Sequence, residues 1–208
     1  MDIVHNSPLI PENKMGKEVN MEEILLENSI EEAVVAYNRA CSRLLNPPLW
    51  KQLAGSAGAA FLLETATGEE AHRLAQMDDY IKIDIPGPGS VAGEGFDWVK
   101  LEAMEENSLP DAEYSLGIRL RACDNPLHKE LGTAHFFKEY ATSTFIVKRN
   151  GNKVSVSYHG RNELPNTTGV NTPDKIRNAV VAAGAIAGLS ELQWKALLKG
   201  FVQIEIGG

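Results

Sequence analysis

The chain has 208 residues, of which 43% are hydrophobic and 23% charged, and a formal net charge of −8. Such a composition is that of a soluble globular protein. The negative balance argues against a general nucleic-acid binder, which needs a basic face to neutralise phosphates. Cys41 and Cys123 stand alone and fit no metal-ligand or redox spacing. The opening stretch MDIVHNSPLIPENK lacks the basic and apolar regions of a secretory signal, and the small-apolar run from Ala179 to Gly188 is too short to span a bilayer. The expectation is a cytoplasmic protein with no membrane or nucleic-acid partner, no metal and no cofactor.

Residues 1–19 are polar, proline-punctuated and without period, which predicts a flexible N-terminal arm. Asn20 with Glu23, and Ser29 with Glu32, have the spacing of a capping box, so helices are expected to start at both. Ile30, Val34, Tyr37, Cys41 and Leu44 would share one face of the second helix, which Pro47-Pro48 ends before a short turn through Trp50 and Leu53. Residues 59–67 read as either strand or helix, with strand the preferred reading over Phe61–Thr65, and a short helix over Glu69–Gln76 follows.

From Asp79 the apolar period becomes two. Ile81, Ile83 and Ile85 alternate with polar residues, as do Val99, Leu101 and Ala103, then Tyr114, Leu116, Ile118, Leu120 and Ala122. One wet face per strand marks an antiparallel sheet. The stretch from Ala141 to Asn166 predicts a hairpin closed by Asn150-Gly151, since both residues tolerate positive φ. A two-residue turn there pairs Val147 with Val154, Phe145 with Val156 and Ser143 with Tyr158. Phe145 and Val147 then share the apolar face, and His159 falls on the opposite, hydroxyl-lined face with Thr142, Thr144 and Ser157.

Thr172-Pro173-Asp174 begins a helix in the favoured order of cap and proline. Ser190 with Gln193 opens another, whose Trp194, Leu197, Leu198 and Phe201 form a stripe. Val202–Ile206 reads as a last short strand. The whole is an α+β domain over 20–208, helical over 20–54, mainly β over 59–165 and helical over 172–200. Its antiparallel sheet of five or six strands is packed by N- and C-terminal helices, with a small curled barrel as the variant.

The densest polar cluster follows the hairpin. His159, Arg161, Asn162, Glu163 and Asn166, with Thr142 nearby, are the candidate ligand-binding residues. Histidine shuttles protons near neutrality, arginine holds anions and asparagine bonds carbonyls. The plain alternative is a set of polar turn residues. The glycine-rich loop 86–95 offers backbone amides to an anion, but lacks the Gly-Lys-Ser/Thr and following helix of a phosphate loop. His135 and Glu139 would share a helical face as a partial metal site if 134–140 were helical. Ser56 lies between glycines but lacks the strand–serine–helix setting of a nucleophile elbow.

No complete catalytic constellation emerges. The reading that follows is a non-catalytic interaction module acting on a protein partner or by self-association, through the arm or a C-terminal edge strand. The alternative is a small-molecule hydrolase or anion-binding enzyme using the His159-Arg161-Asn162 cluster, with the glycine-rich loop as a lid.

Overall fold

The computed structural model describes residues 7–55, 58–87, 89–108, 113–167, 172–186 and 189–203. Seven strands form one open antiparallel sheet: β1 (Lys17–Leu26), β2 (Ala60–Glu64), β3 (Tyr80–Asp84), β4 (Asp97–Ser108), β5 (Tyr114–Ala122), β6 (Thr142–Asn150) and β7 (Lys153–Glu163). Their order across the sheet is β1-β7-β6-β5-β4-β3-β2, so the first strand pairs with the last while the others meander in sequence. Four helices accompany them: α1 (Ile30–Leu44), α2 (Trp50–Ala54), α3 (Thr172–Ile186) and α4 (Leu189–Val202). The α+β class is as the sequence implies. The strand count is higher than expected, and the sheet does not close into a barrel.

The extra strand is β1, in a stretch read as arm and helix. Its Asn20…Glu23 spacing mimics a capping box, yet Val19, Met21 and Leu25 alternate toward the core while Asn20 and Ile24 point away. Pairing with β7 along the edge decides the conformation. Residues 7–16 precede it and are not a loose arm. Leu9 is buried on the outer face of the sheet, and its carbonyl accepts hydrogen bonds from Arg119 and Thr144.

Ser29 caps α1 through the Glu32 amide, as its spacing predicts. The helix is rotated from the expected stripe, because Ala33, Ala36 and Ala40 are buried while Ile30 and Val34 are exposed. Small residues let α1 approach closely, and Arg43 beneath it donates to the carbonyls of Gly200 and Gln203 at the end of α4. In α4 the expected stripe holds: Leu197, Leu198 and Phe201 are fully buried. Residues 69–76 form no helix but an extended segment bridged to β2 at Glu64–Glu70. Val202 belongs to α4, Gln203 follows it outside any strand, and residues 204–206 of the expected last strand lie outside the described residues.

The hairpin of β6 and β7 pairs Val147 with Val156 and Phe145 with Tyr158, two residues from the expected register. The turn is Gly151-Asn152, with Gly151 at a φ of 57°. A shift of two preserves the parity of a strand, so residues 143–159 keep their expected faces, whereas Thr142 at the start of β6, expected beside His159, borders the helix-side cavity instead. The core centres on this hairpin. Phe145 is fully buried, with ring centroids of Tyr158, Trp50 and Trp194 at 5.1, 5.4 and 5.6 Å.

Candidate functional site

Between the sheet and helices α2, α3 and α4 lies a cavity of about 350 Å³. Its walls are largely apolar and aromatic, with Ile81, Ile83, Val99 and Leu120 from the sheet, Trp50 and Trp194 from α2 and α4, and Val180 and Val181 from α3. Phe61, Phe136 and Phe137 add further aromatic surface. Its polar lining comes from Thr142, Ser143, Tyr158, Glu163, His135 and Gln193.

Glu163 reaches the cavity through a local irregularity in β7. Strand parity from Tyr158 through Gly160 would turn residue 162 inward. Along the β1–β7 ladder, however, Lys17 to Val19 is matched by Glu163 to Gly160, so β7 carries an extra residue. Asn162 absorbs it at a φ of 57°, a left-handed conformation that asparagine tolerates better than most residues. The bulge reverses the alternation and turns Glu163 inward. Gly160 makes room, since a Cβ there would lie 2.3 Å from the Glu163 Oε1.

A short hydrogen-bonded chain results. The Tyr158 hydroxyl lies 3.2 Å from the Ser143 Oγ and donates to the Glu163 carboxylate at 3.3 Å. Among the described residues Glu163 has no ion-pair partner within 4.0 Å. Burial pushes its carboxyl up to about 7, a rise that the Tyr158 hydrogen bond and Lys17 only partly offset. The Tyr158 hydroxyl is pushed well above its usual range, burial first and the Glu163 charge second. Thr142 Oγ1 and Gln193 Nε2, also buried in the cavity lining, have no hydrogen-bond partner among the described residues. Such atoms are costly to leave dry.

His135 forms part of the cavity wall, stacked on Phe136 at 4.3 Å. Its Nδ1 accepts from the Phe137 amide, which places the proton of the neutral ring on Nε2. Burial lowers its pKa to about 4, so the ring stays neutral near pH 7. Residues 134–140 are not helical and Glu139 is exposed, so the condition for a His135–Glu139 metal pair is not met. Among the described residues no group of three or more His, Cys, Asp or Glu is placed to hold a metal ion.

The helix over the cavity is held by polar groups one turn apart. Asp174 of α3 accepts from the amides of Val91 and Ala92 at 2.6 and 3.1 Å. The glycine-rich loop thus does present backbone amides to an anion, and that anion is Asp174. Arg177 pairs with fully buried Asp97, whose Oδ1 also accepts from the Phe136 amide. Asn178 donates to the Asn166 carbonyl.

The residues singled out from sequence divide between two faces. Glu163 and Thr142 belong to the cavity lining. His159 and Arg161 lie on the opposite face: the His159 ring nitrogens bond Asn20 and Ser157, and Arg161 bonds Asn20, the Val19 carbonyl and Glu18. Asn162 clasps the N-terminal segment, its side-chain oxygen accepting from the amides of Lys14 and Met15. Asn166 donates to the carbonyls of Thr133 and His135. Sequence reasoning missed Tyr158, Ser143 and Gln193 as cavity residues. The available signal was parity, since Ser143 and Tyr158 already fell on the core face of the predicted hairpin. Ser56 lies outside the described residues.

No protein-family model matches the chain, and no curated protein matches it. Among solved structures it is similar to an uncharacterised protein from Bacillus thuringiensis, at 15% identity and a TM-score of 0.41, covering 90% of this chain and all of that one. It is also similar to a ginseng major latex-like protein from Panax ginseng, at 13% identity and a TM-score of 0.34, covering 84% and 98%. A third is the di-domain ARO/CYC StfQ of the steffimycin biosynthetic pathway, at 12% identity and a TM-score of 0.35. That match covers 89% of this chain and 51% of the larger protein.

Proposed function

We propose that this protein binds a small, largely apolar molecule in the cavity between the sheet and helices α2–α4. One observation carries the reading: a space of about 350 Å³ whose apolar walls include the buried polar atoms Thr142 Oγ1 and Gln193 Nε2, without partners among the described residues. Ligand sites have this character, mostly hydrophobic with a few placed polar groups. The volume is at the small end of the usual range, which suits a ligand of one or two rings. The hydrolase alternative needs His159 beside a pocket, and His159 instead lies on the opposite face, 1% exposed. The test is titration with the neutral fluorophore phenylnaphthylamine, which brightens in apolar surroundings. Saturable enhancement at one site per chain is expected, and Val181→Trp, which fills the space from α3, should abolish it while the fold is retained. Absence of enhancement in the native protein would contradict the reading.

A second reading, self-association through the β1 edge, has its own observation. Among the described residues β1 pairs on one side only, with β7, and Ile24 and Leu26 on it and Ile30 and Val35 on α1 are exposed. Light scattering of the purified protein decides it: a dimer lost on Leu26→Lys supports the reading, and a monomer at all concentrations removes it.

A further inference from the structure

The cavity has a polarity of its own. Of the described residues that line it, only His135, Tyr158 and Glu163 can ionise. Burial keeps His135 neutral and holds Tyr158 protonated, so Glu163 is the one lining group that takes a charge near neutrality, and that charge is negative. Among the described residues no cation meets it at contact distance. Lys17 on β1 pairs with Glu191 of α4 at 2.6 Å, and Arg161 is turned to the opposite face against Glu18 and Asn20. Glu191 itself adds negative charge on the same side. Across from β7, β6 contributes the uncharged hydroxyls of Ser143 and Thr142.

A buried carboxyl with one weak hydrogen bond avoids the cost of its charge either by holding a proton or by meeting a cation, and above about pH 7 only the cation serves. The surrounding rings are suited to such a cation. Tyr158 and Trp194 stack at 5.2 Å with an interplanar angle of 20°, so each covers one face of the other, and a face turned to the cavity attracts an ammonium group within about 6 Å. A ligand carboxylate would be repelled, and a neutral ligand would leave the Glu163 charge unanswered.

We infer that the molecule held in this cavity carries a basic nitrogen, bound as an ammonium against the Glu163 carboxylate beside Tyr158 and Trp194. This rests on the cavity being a ligand site and names the class of ligand: a compact aromatic or alicyclic amine. Binding draws the proton off Glu163, so affinity rises with pH through the range in which the free carboxyl titrates.

The experiment is isothermal calorimetry with three probes on one skeleton: naphthylethylamine, naphthylethanol and naphthylacetate. At about pH 8 the amine should bind roughly tenfold or more tightly than the alcohol, a separation typical of one charge-assisted contact, with naphthylacetate weakest. The amine preference should shrink as pH falls toward about 5.5, with proton release visible as a buffer-dependent heat. In Glu163→Gln the ratio of amine to alcohol affinity should collapse toward one. An alcohol or acid that binds as tightly as the amine, or a preference that survives Glu163→Gln, overturns the inference while leaving the cavity reading intact. Failure of all three probes and of phenylnaphthylamine overturns the cavity reading itself. If Glu163→Gln does not fold, the pH dependence and proton release of the native protein decide the matter.

Discussion

The last turns of β7 show two faces of one strand under different constraints. On the outer face His159 and Arg161 are almost fully buried and richly partnered, tied to Asn20, Glu18, Ser157 and the Val19 carbonyl. On the helix side Tyr158 and Glu163 are equally buried but sparsely partnered, joined to each other and to Ser143 along the wall of an apolar cavity. Burial alone therefore does not distinguish structure from function here. Hydrogen-bond satisfaction does, because a saturated polar group has nothing left to offer a ligand, whereas an under-satisfied one is held at a cost that a ligand can offset.

The comparison is sharpened by variants, beginning with the core that supports both faces. Phe145→Ala removes a fully buried ring against Trp50, Tyr158 and Trp194 and should cost about 3–5 kcal/mol in denaturant unfolding. A loss below about 1 kcal/mol would displace the hairpin from the centre of the core. Arg177→Ala leaves Asp97 buried without its cation and should cost a similar amount, about 3–5 kcal/mol. It should also loosen α3 over the cavity, read as faster amide exchange in that helix than in α4.

The pH dependence separates the two titrating wall groups. Glu163 has its pKa raised from 4.5 to about 7, so the folded state holds the proton more tightly than the unfolded chain. Its contribution is complete below 4.5 and is lost as pH rises to about 7. His135 is lowered from 6.5 to about 4, so its contribution is present above 6.5 and is lost as pH falls to about 4. The slopes oppose each other over nearly the same window, each amounting to at most about 3 kcal/mol. The native protein should therefore change little in stability across it. Glu163→Gln should leave stability rising with pH, and His135→Gln should leave it falling, both followed by urea midpoints. Parallel slopes in the two variants would contradict the assignment.

The smallest effect belongs to the saturated face. His159→Ala strips one partner each from Asn20 and Ser157, and Asn20 keeps its Arg161 bond. A cost of about 1–3 kcal/mol is expected, with affinity for the cavity probes unchanged. Loss of probe binding without loss of stability would move the site to the other face.

What the sequence disclosed follows the same division. Strand parity is a local property, so the hairpin faces were legible even though the turn residues and the pairing were displaced by two. β1 was hidden because Asn20 and Glu23 have the spacing of a helix cap, and only the long-range partner β7 selects the extended chain. In α1 the larger apolar residues suggested one face, while close packing chose the alanine face. Glu163 was visible as part of a polar cluster, but not its direction, which depends on the bulge at Asn162. The cavity itself is made from residues remote in sequence, Trp50 to Trp194, and no local pattern encodes an empty space.

The bulge in β7 delivers a buried carboxyl to a largely apolar cavity. The direct measurement is a carbon-detected NMR titration of the glutamate carboxyl groups, with the Glu163 resonance assigned through Glu163→Gln. The account predicts one carboxyl with its midpoint at about 7, moving lower when naphthylethylamine is present. A Glu163 midpoint near the ordinary 4.5, unmoved by the amine, would mean a solvated side chain and contradict the account.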